Sequence, residues 1–206
     1  MDPISIVIFI VILLFSVIFH EVAHGLMAEK LGDPTARYAG RLTLNPIPHI
    51  DLFGSILLPA FLLLVNSPIL FGAAKPVPVD FRNLRNMKRD MFLVAFAGPA
   101  TNFILAALAA AAFQLTPNLS ELGAQLLVQT IRLNLVLCFF NLLPIPPLDG
   151  SKIAASLFGL LDRGWMYTML SLERYGFMIL ILFLFTGLAQ MIIIPPVMFF
   201  LELFLK

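Results

Sequence analysis

Two imidazoles and a carboxylate fall within five consecutive residues, His20-Glu21-Val22-Ala23-His24. On an α-helix, residues four apart lie about 40° apart around the axis and one turn along it. Both histidines can therefore bind one metal ion. Glu21 is offset by about 100°, where its carboxylate can reach a water on that metal rather than the metal itself. Zinc lowers the pKa of such a water to about 7, and a carboxylate can then take its proton and pass it on. This is the arrangement of a metallopeptidase. A polar helix end facing lipid headgroups is the bland alternative, and it leaves an energetic debt. Each ionisable side chain in a membrane helix costs roughly 2.5–3.5 kcal/mol on insertion scales, and a shared metal offsets all three. Gly25, just after His24, leaves room for a neighbouring backbone.

Catalytic zinc usually keeps three protein ligands and one open position. Two residues could complete the set. One is His49, in the polar loop LNPIPHIDLFG; the other is Asp149, in NLLPIPPLDG at 141–150. Asp149 is favoured. Pro144, Pro146 and Pro147 break the helix before it, so the chain can curl and present a carboxylate inward. Gly150 permits close packing beside it. An acid between two apolar stretches also needs a partner. His49 reads as structural or substrate-facing.

The elements that must position these residues lie in lipid. The chain has 206 residues, 60% hydrophobic and 12% charged, with mean hydropathy +0.98. A soluble domain has about a quarter of its residues charged. A net charge of +1 gives no basic footprint, so nucleic acid is not an expected partner. The single cysteine, Cys138, excludes a disulfide framework and a multi-cysteine metal site. A membrane span needs about 20 mostly apolar residues, and the hydrophobic segments run over approximately 4–30, 52–72, 91–113, 122–143 and 175–205, the last broken at Pro195-Pro196. The first lacks a basic leader and a small-residue cleavage site, so it reads as a span and not a cleaved signal. The predicted fold is an all-α polytopic membrane protein with about 4–6 hydrophobic segments. Alternation in ARYAGRLTL predicts a short β-hairpin near 35–44. The segment KPVPVDFRNLRNMKRD at 75–90 is basic and extended around its prolines. One integral membrane domain, 1–206, is expected, with a catalytic core over 4–160 and a C-terminal hydrophobic segment over 175–206.

Three motifs, HEVAHG at 20–25, FAGPATNF at 96–103 and NLLPIPPLDG at 141–150, resemble the signatures of site-2 proteases, in that family's order. Those are zinc metallopeptidases that cut substrates inside the membrane. RLTLNP and KPVPV are similar to the compact prokaryotic members without PDZ or nucleotide-sensing domains. The resemblance covers about residues 10–160. It implies one Zn(2+) per chain held by His20, His24 and Asp149, with Glu21 as general base and then acid. It also implies that Asn141 and Asn102 lie near the cleft and support substrate backbone or the transition state. The expected partners are the lipid bilayer and a transmembrane protein substrate; the sequence leaves the oligomeric state open.

Metal geometry constrains topology. His20 and His24 lie toward the downstream end of the first span, and Asp149 lies beyond the downstream end of the fourth segment. One zinc can join them only if both segments run in the same direction, with an odd number of crossings between. Segment 91–113 makes one crossing. Segment 52–72, interrupted by Pro59, Asn66 and Pro68, is therefore expected to be re-entrant. Residues 30–51, 73–90 and 150–174 then share one side and carry eleven Lys and Arg, against none in 1–3 and 114–121. The positive-inside rule puts that side, and the site, toward the cytoplasm of a prokaryotic cell membrane. Within the fourth segment Gln125, Gln129 and Arg132 form a polar stripe, read as Arg132 reaching the outer headgroups. A metal transporter would need further carboxylates or histidines along its path, and the spans contain almost none. A non-catalytic scaffold would have little use for Glu21.

Overall fold

The computed structural model of the chain describes residues 3–51, 57, 75–159 and 163–206. Helix α1, Pro3–Lys30, carries the two histidines. It stops where Gly32 takes φ 114°, a conformation that favours glycine, and the Asp33 N–H folds back to the Ala28 carbonyl at 2.9 Å. A one-turn helix α2, Thr35–Tyr38, follows. Helix α3, Met87–Leu115, starts at Asn86, whose side chain accepts from the Arg89 N–H. Helix α4, Glu121–Asn141, starts at Ser120, which accepts from the Gly123 N–H. Each is an ordinary side-chain N-cap. Beyond the proline-rich turn come α5, Asp149–Phe158; α6, Arg163–Leu172; α7, Gly176–Phe185; and α8, Leu188–Leu205. Among the described residues α1 (from Ser5), α3, α4 and α8 are long and apolar enough to cross a membrane.

Interhelical contacts fix the directions. Ser5 pairs with Gln125, Ser16 with Asn134, and His20 and His24 with Asp149. Numbers rise together along α1 and α4, so the two run parallel. His24 meets Val94 while His20 and Ser16 meet Asn102, so α3 runs antiparallel to both. This is the geometry that a metal shared by α1 and the segment after α4 demands. Segment 52–72, expected to be re-entrant, lies outside the described residues apart from Leu57. Its described flanks meet, because the Lys75 N–H donates to the His49 carbonyl at 2.9 Å. The next turn returns to the end of α1, where the Arg85 N–H reaches the Leu31 carbonyl.

Small residues bring the helices together. Ala106, Ala109 and Ala110 of α3 pack with Ile131 and Leu135 of α4 and Val197 of α8. In lipid no hydrophobic force drives helices together, and close approach of small residues supplies the van der Waals contact instead. The outer face of α1 presents Ile6, Val7, Ile10, Val11 and Phe15, side chains suited to acyl chains.

Two expectations are corrected. The hairpin near 35–44 is absent: residues 35–38 form α2, and no strand occurs among the described residues. The alternation there reflects local capping. Asp33 accepts the Thr35 N–H at 3.2 Å and starts the turn, Gly40 at φ 65° ends it, and Arg41 turns inward to the Lys75 carbonyl at 2.6 Å. Burial opposes the charge on Asp33, yet donors from Asn83, Thr35 and Asp80 outweigh it and hold the carboxyl below its usual value. The second correction concerns the C-terminal segment. It breaks at Gly187, φ 75°, and α8 continues through Pro195 and Pro196. Proline removes a helical donor but does not end a helix in lipid when the freed carbonyls find other partners. A left-handed glycine reorients the chain outright.

Candidate metal centre

Three helices build the site. Nε2 of His20 lies 3.0 Å from Nε2 of His24. Oδ2 of Asp149 lies 3.0 Å from the first and 3.2 Å from the second. Asp149 opens α5, which packs along α3 and starts against the turn that follows α4. A side chain at Gly150 would collide with the Leu142 and Leu143 carbonyls. Among the described residues this is the one group of His, Cys, Asp and Glu close enough to share a metal.

The hydrogen bonds behind the ligands select their tautomer. His20 Nδ1 lies 2.6 Å from Asn102 Oδ1, and His24 Nδ1 lies 2.7 Å from the Val94 carbonyl oxygen. Both oxygens can only accept, so each Nδ1 donates its N–H, and each imidazole, when neutral, turns its Nε2 lone pair toward its neighbour. Asp149 Oδ2 is buried and has no hydrogen-bond donor. Three electron-pair donors thus converge on one point, which is unfavourable unless a cation sits there. Tetrahedral zinc with ligands near 2.0–2.1 Å separates them by about 3.3 Å, close to the spacing found. The residues fit zinc.

Gly98 is the floor of this pocket. A Cβ there would stand 2.6 Å from His20 Nε2 and closer still to His24 Nε2. Behind His20, Asn102 Nδ2 donates to Asn134 Oδ1 at 2.8 Å, and Asn134 Nδ2 donates to Ser16 Oγ at 2.9 Å. Asn102 and Asn134 are fully buried. Interhelical hydrogen bonds in lipid average about 0.6 kcal/mol. A structural zinc site contributes on the order of 10 kcal/mol. The network therefore matters for the tautomer and tilt of His20 more than for holding the bundle together. Replacing Asn102 by Leu should weaken zinc binding on the order of 10–100-fold, the usual cost of losing a histidine's outer partner. Chelator competition measures it, and wild-type affinity in that variant would contradict the orienting role.

The remaining singled-out residues are not among these three ligands. Glu21 Oε2 accepts the Val77 N–H at 2.7 Å. Asn141 donates to the Leu137 carbonyl at 3.0 Å at the end of its own helix. His49 is buried with Nε2 2.9 Å from the Thr43 carbonyl and does not join the metal group. Arg132 is exposed. Sequence reading missed Gly98, Asn134, Ser16, the Val94 carbonyl and the Val77 N–H. A buried-depth asparagine such as Asn134 in an otherwise apolar span was the one available signal; the backbone groups leave none.

Comparison with known proteins agrees with this geometry. The sequence model described as Peptidase family M50 matches residues 117–186, a stretch that includes Asn141 and Asp149. The "Putative zinc metalloprotease YwhC" of Bacillus subtilis (strain 168) is 38% identical over 205 residues, covering 94% of this chain and 87% of that protein. A protein of Mycolicibacterium smegmatis named "Putative zinc metalloprotease Rip2" is 28% identical over 177 residues, covering 84% of this chain and 64% of that protein. Its namesake in Mycobacterium tuberculosis (strain ATCC 25618 / H37Rv) is 35% identical over 139 residues, covering 66% of this chain and 52% of that protein. No solved structure matches. The chain belongs to peptidase family M50, the site-2 protease family. It is a multi-pass membrane metalloprotease with a zinc cofactor.

Proposed function

We propose that this protein is an intramembrane endopeptidase that hydrolyses peptide bonds in or near transmembrane helices of protein substrates. His20, His24 and Asp149 would hold one zinc. When bound there, zinc supplies Lewis acidity, polarising the scissile carbonyl and making water acidic enough to deprotonate near neutral pH. The observation that carries the reading is the convergence of two Nε2 atoms and a carboxylate oxygen at 3.0–3.2 Å, with both histidines on a helix that is itself a candidate span.

Each further role falls to a residue of this chain. Glu21 accepts a proton from the attacking water on its carboxylate and delivers it to the leaving amine nitrogen. Asn102 and the Val94 carbonyl keep the imidazoles in the tautomer that leaves Nε2 free. The two-His, one-carboxylate set also suits iron or cobalt, and the names of the relatives favour zinc. A cleft of about 230 Å³ lies one turn from His20, lined by Phe15, Ser16 and Phe19 of α1, Leu105 of α3 and Asn134 of α4. Its apolar walls suit a membrane-embedded substrate. A helix hides its carbonyls in its own hydrogen bonds, so the substrate unwinds before it is cut.

The test reconstitutes the zinc-loaded protein in liposomes with a tagged single-span substrate carrying a helix-breaking glycine pair. The expected result is a cut within the span, abolished by a zinc chelator. Cuts confined to the water-exposed flanks would contradict the intramembrane reading.

The site is proposed to face the cytoplasm, on the charge partition and on the contact that ties the 85 turn to the end of α1. Cysteines placed at Arg37 and Arg85 should both label from the cytoplasmic side. Arg37 pairs with Glu29 at the surface, where ion pairs are screened and contribute little, so its replacement leaves the fold intact. Labelling from opposite sides would overturn the topology.

A further inference from the structure

Three loop side chains are buried outside the metal group: Asp33, Arg41 and His49, with 0%, 6% and 1% of their surface exposed. All three residues grip the same short segment. The His49 carbonyl accepts the Lys75 N–H at 2.9 Å. Arg41 Nη2 donates to the Lys75 carbonyl at 2.6 Å. Asp33 Oδ2 accepts the Asp80 N–H at 2.8 Å, while Oδ1 takes Asn83 Nδ2 at 2.9 Å. Between those clamps runs Pro76-Val77-Pro78.

We propose that residues 75–80 are a strap whose task is to hold the Glu21 carboxylate through the Val77 N–H, which makes Val77 a positioning residue for the base. This rests on the reading of Glu21 as proton carrier. Proline has no N–H, so Val77 supplies the only backbone donor in residues 76–78. Each proline also forces the residue before it out of the helical region, so Lys75 and Val77 stay extended and their donors have no local acceptor. The Val77 N–H meets Glu21 Oε2 at 2.7 Å. One carboxylate oxygen is thereby fixed and the other is left for the proton.

Gly25 lets the strap lie against α1. A Cβ there would stand 2.9 Å from Val77 Cγ1 and 2.6 Å from Leu42 Cδ2. The glycine that closes HEVAHG thus has a stated job one turn beyond Glu21. Glutamate has three rotatable side-chain bonds, and a base displaced by about 1 Å loses on the order of 100-fold in rate. A backbone donor clamped at both ends is a stiffer hold than another side chain would be. The same strap explains why side chains as unlike as Asp33 and Arg41 are buried in one loop region.

The test uses the full chain in detergent with a quenched fluorogenic peptide containing one apolar span. Val77→Pro removes the donor; Val77→Ala keeps it. Val77→Pro should lower kcat on the order of 100-fold with KM and bound zinc unchanged, while Val77→Ala retains most of the turnover that Val77→Pro loses. Independently of turnover, amide hydrogen exchange at Val77 should be slow in wild type and accelerate in Glu21→Ala, with the Lys75 and Asp80 amides still protected. Wild-type kcat in Val77→Pro, or a Val77 amide that exchanges equally fast with and without Glu21, overturns the strap. A zinc-loaded wild type that cuts nothing overturns the peptidase reading, and the exchange comparison then decides the strap alone.

Discussion

Glu21→Gln should abolish cleavage while leaving zinc bound. Glutamine matches glutamate in size and its carbonyl oxygen can still accept the Val77 N–H, so the strap and the helix stay in place. Glu21 is not in the metal group, so the ligand set is untouched. What disappears is the ability to take a proton from water and return it to the leaving amine. General acid–base catalysis supplies roughly 10²–10⁴-fold, and a residue that acts in both directions should sit toward the upper end. Turnover and bound zinc measured on the same preparation separate the two effects. Activity within about tenfold of wild type would remove Glu21 as the base. Loss of zinc would instead make it a structural partner of the site.

Gly98→Ala should do the reverse, sparing the fold and removing the metal. Alanine is favoured over glycine inside a helix by about 1 kcal/mol, which offsets part of the crowding, so the helix bundle should still form. The added methyl, however, would stand 2.6 Å from His20 Nε2 and nearer still to His24 Nε2. Neither imidazole can retreat freely. His20 is tied to Asn102 and His24 to the Val94 carbonyl. The methyl also occupies space beside the very lone pairs that bind the ion. Zinc affinity should fall by more than the 10–100-fold typical of an outer-partner loss, because the ligands themselves are displaced. Thermal melting of the metal-free protein gives the fold, and chelator competition gives the affinity. Unchanged affinity would mean that the helices shift apart at little cost.

The site was largely legible in the sequence because its donors are rare side chains in an apolar chain. His20, Glu21 and His24 announce themselves by spacing on one helix. Asp149 follows from the proline break, from Gly150 and from the need of an acid between apolar stretches for a partner; the parallel run of α1 and α4 that a shared metal then requires is seen in the Ser5–Gln125 and Ser16–Asn134 contacts. The supports were not legible, for a physical reason. The Val94 carbonyl and the Val77 N–H belong to the backbone, which every residue has. Gly98 matters for an atom it lacks. Asn102 entered only through the resemblance that FAGPATNF carries, and the sequence did not say which way its amide would turn.

The two corrections teach the same point about local pattern. The period-2 alternation at 35–44 arises from one capping aspartate and one inward arginine, each pulled by a partner distant in sequence. Prolines that would break a helix in water are carried through α8. The chain instead turns at Gly187, whose positive φ no periodicity reports.

The most direct test is the zinc content of detergent-purified wild type beside Asp149→Ala, because it needs no substrate. Wild type should hold about one zinc per chain, as a three-ligand catalytic site does, and the variant should lose it or bind it far more weakly. Zinc retained at full occupancy and affinity without Asp149 would contradict the shared site of α1 and α5 and move the third ligand elsewhere.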